Sequence, residues 1–498
     1  MHGPSNDWTD FETMLREFSA SGVIEINEDG EWLAELAGLQ FEVHLQGKNP
    51  LIHLWSEERN LTRRLVRVKS HDENKIVLEV QRFGRAKPGR LEFLRRDSAR
   101  APLRITREQF RERFERILAD RFPDAVVDSL SASPDLEHSF SGLYVRGVMH
   151  EGARAWALLA AGPSEAAAVE NMLAFAILWL DRCRNCSDKR AIEGLRLFVP
   201  EGTSRSLRER SLGLASRAKV QIFEMREPDS LMQRVDPADA GNLQSYLGPR
   251  SEQETSILIA RDSIERIRAM LPANPGAITV RVPAGTGEVV FCFRGMEFAR
   301  RTREGIIFGL GKSVQKLKTE NESKLRKLLH ELDARRSPLA ADTNHTLFRG
   351  APERWLESII LEDPTRVDAV LDPQYFYSQV PALVAGDRGI LDLLGITRQG
   401  RLVVIELKAS EDIQMPLQAV DYWLRVRRHQ REGDFHRYGY FAGVEIDPRP
   451  PLVWLVAPAF RFHSATEILL KYLSPEIQTT RIGLNEKWRH GIKVMLRQ

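Results

Sequence analysis

Gly389-Ile390-Leu391-Asp392 opens an apolar segment that continues Leu393-Leu394-Gly395-Ile396, turns at Gln399-Gly400 and returns as Leu402-Val403-Val404-Ile405-Glu406-Leu407-Lys408. Two apolar runs about a Gln-Gly turn read as a β-hairpin. Side chains alternate along a strand, so Glu406 and Lys408 share one face while Leu407 enters the opposite layer. Val403 to Ile405 reads as buried strand, where an unpaired acid or lysine is costly. The stretch Gln418-Ala419-Val420-Asp421-Tyr422 reads as part of the helix that follows, with Gln418 and Tyr422 one turn apart on a shared face. A Glu-Leu-Lys tripeptide alone would read as a solvated edge with a chance ion pair. Five polar positions in this order, Asp392, Glu406, Lys408, Gln418 and Tyr422, read instead as one site.

Hydrolysis of a phosphodiester explains these residue types. A cation must polarise the phosphoryl oxygens and deliver an ionised water, and hard Mg2+ prefers carboxylate and carbonyl oxygens while keeping several waters. Asp392 and Glu406 supply the carboxylates, the backbone carbonyl of Leu407 a third protein oxygen, and Lys408 a compact positive charge for the attacking water or the phosphate.

The set GxxD, (D/E)xK and QxxxY in this order resembles the PD-(D/E)XK nuclease superfamily, in its RecB-type branch, over roughly residues 346–498. The resemblance implies a restriction-endonuclease-like αβββαβ core. It implies Mg2+ or Mn2+ on Asp392 and Glu406, a catalytic Lys408, and Gln418 and Tyr422 supporting the site or the strand. An acid on the first helix maps to Glu357 in Pro352-Glu353-Arg354-Trp355-Leu356-Glu357, with Glu353 on the same face as the alternative. The segment is similar, more loosely, to the mismatch-cutting endonucleases of archaea and actinobacteria.

Length and composition bound the rest. A chain of 498 residues exceeds one core, and 42% hydrophobic with 28% charged residues describes a globular protein. The longest apolar run, Met172 to Leu180, is far short of a bilayer span, and no secretory opening segment is evident, so a cytoplasmic location is expected. Three cysteines exclude a disulfide framework, and Cys183 with Cys186 lacks the second ligand pair of a zinc site. Net charge of +3 excludes a chain-wide basic field. Basic residues nevertheless gather from Arg294 to Arg336 and again at Arg425, Arg427, Arg428, His429 and Arg431, either as solvated helix faces or as phosphate contacts.

The pattern divides the chain into a β-rich module (1–100), an α/β module (101–245), a β-hairpin module with a basic helix (246–336), a linker (337–350) and the site-bearing domain (351–498): a multidomain α/β protein. In the second module a helix (Thr106 to Leu118), a hairpin, a long helix around Glu165 to Arg184 and a strand (Leu195 to Val199) give an order resembling a nuclease core. The chemistry is missing, since the second hairpin strand reads Trp156-Ala157-Leu158-Leu159-Ala160-Ala161. A degenerate copy and an unrelated α/β module both fit. Glycine frames at Gly30 and Gly38 and at Gly287 and Gly295 suggest a repeated β-module.

The expected function is a Mg2+- or Mn2+-dependent deoxyribonuclease, expected to act as an endonuclease although no residue fixes the cutting mode, serving DNA repair or defence against foreign DNA. The expected partner is DNA, with no membrane. A homodimer is the expected assembly, because cutting both strands takes two sites. The competing expectation is a nucleic-acid-binding or scaffold protein with a silent site.

Overall fold

The computed structural model describes the chain apart from residues 1–10, 21–23, 29–30, 36–39, 47–48, 56–59, 73, 82–87, 96–102, 134, 136–139, 141, 187–190, 227–230, 237–244, 284–285 and 385–389. The described residues form twelve α-helices and four β-sheets, a mixed α/β architecture. Residues 1–123 with 130–145 make one compact unit, and 124–129 with 146–498 a second.

In the first unit α1 (Phe11–Ala20) precedes β1 (Ile24–Glu28), β2 (Glu31–Glu35), β3 (Gln40–Gln46), β4 (Asn49–Trp55), β5 (Asn60–His71), β6 (Lys75–Gln81), β7 (Gly89–Arg95) and α2 (Leu103–Arg121). The strands form one sheet ordered β2-β1-β7-β6-β5-β4-β3. Phe11, Leu15 and Phe18 recur at helical spacing on α1 and are buried with Ile26, Leu78 and Phe93. Gly30 and Gly38 lie outside the described residues, as does Gly389.

The chain continues as β8 (Ala125–Ser131), β9 (Val145–Glu151), β10 (Arg154–Ala160), α3 (Met172–Cys186), β11 (Ile192–Pro200), α4 (Arg205–Ser211), β12 (Val220–Arg226) and β13 (Leu231–Val235). These strands lie in chain order across a six-stranded sheet. The single helix expected over 165–184 is two pieces. A 3-10 segment, Pro163–Asn171, carries Glu165 at non-helical φ −101° and ψ 16°, and the α-helix begins only at Met172.

Then come β14 (Ser245–Leu247), α5 (Arg250–Ile259), α6 (Arg261–Ala269), β15 (Ile278–Arg281), β16 (Val289–Phe293), β17 (Met296–Thr302), β18 (Gly305–Phe308), β19 (Gln315–Lys316) and α7 (Glu322–Arg335). Phe291, Phe293 and Phe298 of this five-stranded sheet are buried against Leu325, Leu329 and Leu332 of α7.

The last stretch is α8 (Thr346–Arg349), α9 (Pro352–Glu362), β20 (Leu371–Val384), β21 (Ile390–Thr397), β22 (Leu402–Leu407), α10 (Met415–Glu432), α11 (Asp434–Arg437), β23 (Leu452–Pro458), α12 (Thr466–Lys471), β24 (Thr479–Leu484) and β25 (Val494–Arg497). Its sheet runs β14-β20-β21-β22-β23-β24-β25, so an edge strand arrives from before α5. All six residues of β22 are buried because both faces are covered. Leu393, Val403, Ile405 and Leu407 pack with Trp355, Leu356 and Ile360 of α9. The alternate positions Leu394, Ile396, Leu402 and Val404 pack with Val426 of α10.

A strand expected at 439–444 is not formed. Gly439, Phe441 and Gly443 all have positive φ, which breaks extended pairing, and Tyr440 and Phe441 are buried in the α10-side core instead. The hairpin turn is as expected. Gly400 has φ +84°, and a Cβ there would overlap the Glu445 carbonyl oxygen. Gly400→Ala is expected to lower stability by about 2–3 kcal/mol, read as a shifted urea midpoint.

The basic run from Arg294 to Arg336 faces protein in part. Arg336 is fully buried. Its guanidinium donates to the carbonyls of Arg294 (3.0 Å), Leu347 (2.8 Å), Gly350 (2.6 Å) and Ala351 (3.1 Å) and lies 4.7 Å from the Trp355 ring centre. Arg300 is held by Glu288 and Glu297, both at 2.8 Å. The stretch expected as a linker is therefore tied to the body: α8 lies within it, and Arg336 fastens its end to the start of α9. Among the described residues no helix is long and apolar enough to cross a membrane.

Candidate active site

The alternation of β21 and β22 decides where the polar groups go. Leu393 pairs with Ile405 and Leu394 with Val404. Asp392 and Glu406 therefore share parity with Leu394 and Val404, on the face that α10 covers. The Leu407 amide donates to Asp392 Oδ2 at 3.1 Å, tying the two strands together at this point. Lys408, next on the same face, places Nζ 3.4 Å from Glu406 Oε1 and 3.1 Å from Asp412 Oδ2.

Burial sets the electrostatics. Glu406 is 2% exposed, and burial pushes its carboxyl well above the usual range, with the Asp392 charge adding to the effect and Lys408 offsetting part of it. Burial likewise raises Asp392, against the pull of the Leu407 amide and the Arg354 and Lys408 charges. Burial works against the Lys408 ammonium, yet Glu406 and Asp412 outweigh it and hold its pKa above that of a free lysine. The Tyr422 phenol is raised by burial first and then by the Glu406 and Asp392 charges, which places it in the same field.

Two orphaned atoms complete the picture. Glu406 Oε2 and Gln418 Oε1 are buried with no hydrogen-bond donor among the described residues. Buried oxygens without a donor are rare and call for an explanation. Two acids driven toward neutrality, one with a bare oxygen, fit a hard divalent cation: it would satisfy that oxygen and favour the ionised form of both.

The structure thus brings Asp392, Glu406, Leu407, Lys408 and Tyr422 together around the end of β22, with Gln418 one turn before Tyr422 on α10. Glu357 is placed differently. It is buried on α9, and Arg354 Nη1 donates to its Oε2 at 2.7 Å. Glu353, one turn earlier, accepts from the Ala409 amide at 3.3 Å, and its charge acts on Asp392. Of the two helix acids, the alternative is therefore the one tied to the strand end. Arg354 and Asp412 were not singled out in the sequence. Arg354 bears on both Glu357 and Asp392, and Asp412 carried a legible signal, four residues beyond Lys408.

A separate cluster forms at the end of α10, where ligand atoms of His429, Glu432 and Asp434 lie within 4.8 Å of one another. Its members already face protein partners: His429 Nδ1 meets Asp434 Oδ2 at 2.8 Å, Arg437 pairs with Asp434, and Arg428 pairs with Glu432 at 2.9 Å. In the nearby basic run, Arg427 donates to the Pro448 carbonyl at 2.8 Å.

No family model matches the chain, and no curated protein matches it. Among solved structures it is similar to the crystal structure of a repair endonuclease from Pyrococcus abyssi, at 11% identity and a TM-score of 0.17, over 45% of this chain and 98% of that one.

Proposed function

We propose that the chain is a Mg2+- or Mn2+-dependent nuclease that hydrolyses phosphodiester bonds of DNA, with its centre at the end of β22 in a PD-(D/E)XK-like core. The observation that carries this reading is the pair of enclosed carboxylates, Asp392 and Glu406, beside Lys408, with one Glu406 oxygen left bare. The order α9-β20-β21-β22-α10-β23, with only the four-residue α11 interposed after α10, supports it as the αβββαβ order of that core.

In this reading Asp392, Glu406 and the Leu407 carbonyl hold the cation, which when bound lowers the pKa of a coordinated water and polarises the phosphoryl oxygens. Lys408 orients the attacking water or the phosphate and balances charge at the non-bridging oxygens. Asp412 fixes Lys408, Glu353 sets the strand end, and Gln418 with Tyr422 closes the face beneath α10. The water oxygen bonds to phosphorus, one ester P–O bond breaks, and the leaving oxygen gains a proton. Repair and defence against foreign DNA are both served by such chemistry.

Two measurements test it. Mn2+ at a hundred times its Kd is expected to add about 2.7 kcal/mol of stability; the gain should vanish in Asp392→Asn, and an equal gain in that variant would remove Asp392 from the metal site. Lys408→Ala is expected to keep the Mn2+ stabilisation and DNA binding while cutting about 100- to 1,000-fold more slowly. Equal cutting would end the role given to Lys408.

A further inference from the structure

Two of the four sheets repeat one topology. β8 to β13 and β20 to β25 each lie in chain order across their sheets. In both, the third strand is parallel to the fourth, the fourth is parallel to the fifth, and the fifth is antiparallel to the sixth. Each has a helix between strands three and four (α3, α10) and another between four and five (α4, α12).

The contacts between the two sheets' helical layers are reciprocal. α12 packs on α3, and α4 packs on α10. The Ala215 amide donates to the Tyr472 carbonyl at 2.8 Å, and the Ser474 amide donates to the Gly213 carbonyl at 2.8 Å, with Leu214 facing Leu473 in an antiparallel bridge. Leu214 and Leu473 each follow the helix between strands four and five, so corresponding residues meet. The helix starts repeat the pattern: Gln414, just before α10, donates to the carbonyl of Asn171, just before α3, at 3.1 Å. Residue i touching j while j touches i marks an isologous two-fold contact. A buried ion pair, Arg210 with Asp421 at 2.9 Å, joins α4 to α10 within it.

The halves differ at the third strand. β22 ends in Glu406 and Leu407, followed by Lys408, whereas Ala155, Trp156, Ala157, Leu158, Leu159 and Ala160 of β10 are apolar and buried. No carboxylate or amine stands on that strand beyond Arg154.

We propose that the chain is an internal pseudo-dimer with a single hydrolytic centre, so that one molecule cuts one strand of duplex DNA and releases a nick. This rests on the nuclease reading above. A two-fold nuclease with equal halves presents a centre to each strand; here the half placed for the second strand carries a packed apolar core in its stead. The second half is supplied within the chain, in place of the homodimer expected from sequence.

The test uses the full chain, supercoiled plasmid DNA and Mg2+ or Mn2+, with particle mass followed by sedimentation. Expected are one chain per particle, a rate linear in protein concentration, and open circles as the first product, with linear DNA forming only after a lag through independent nicks. Linear DNA forming without a lag, or a rate rising with the square of protein concentration, overturns the pseudo-dimer while leaving the nuclease reading intact. Absence of any cutting with either metal overturns the nuclease reading and this inference with it. Glu406→Gln in the full chain is expected to remove nicking; residual nicking above about a tenth of the original rate would reveal a second centre and overturn the proposal.

Discussion

Glu406→Gln is expected to slow phosphodiester cleavage by about a hundred- to a thousandfold while leaving the fold as stable as before, or more so. The two effects have one cause. Glu406 is buried with its carboxyl pushed well upward, so the free protein bears the strain of enclosing an acid beside Asp392. A neutral amide of the same shape relieves that strain. The same exchange removes a hard anionic ligand, and loss of one charge-stabilising group in an enclosed centre costs about two to three decades in rate. Opposite signs in the melting midpoint and the cleavage rate separate this account from a variant that merely unfolds. A parallel fall in both would show Glu406 to be a structural acid.

Arg336→Met is expected to be the most destabilising single change, lowering stability by about 3–5 kcal/mol. The side chain donates to four backbone carbonyls from two stretches of chain, Arg294 and Leu347–Ala351, and lies 4.7 Å from the Trp355 ring centre. Methionine fills much of the volume but withdraws the guanidinium donors from those carbonyls, of which Ala351 keeps the Trp355 amide at 3.2 Å. Burial, with the nearby Arg489 and Arg294 charges, lowers the guanidinium pKa; the carbonyl ring is what holds the charge in place. Hydrogen exchange should locate the loss at residues 346–362, where α8 and α9 are fastened. Arg336→Lys, with three donors on a point charge and no planar fork, should recover less than half of the stability. Protection unchanged in the methionine variant would show that Arg336 fastens nothing.

Much of the site-bearing domain was legible because its signals are local. The β21–β22 hairpin follows from two apolar runs around Gly400, and strand parity alone puts Glu406 and Lys408 on one face. Helical spacing then brings Gln418 and Tyr422 together. What escaped depends on contacts between distant segments. Spacing places Glu353 and Glu357 on the same helix face, and only the seating of α9 against Ala409 distinguishes them. Arg336 looks like one more cation in a charged run until the α8–α9 corner closes over it. The strand expected at 439–444 failed because aromatic burial won over extended pairing, with three left-handed residues in six. The reciprocal contact at Leu214 and Leu473 joins positions that no local pattern connects. The similar strand order of the two α/β segments was visible only in part, since β8 was not read as a strand.

The most direct test of the central claim is anomalous diffraction from crystals grown with Mn2+. The account predicts a peak about 2.0–2.3 Å from carboxylate oxygens of both Asp392 and Glu406, with the Leu407 carbonyl completing the protein ligands. A peak only at His429, Glu432 and Asp434, with none between Asp392 and Glu406, would contradict it.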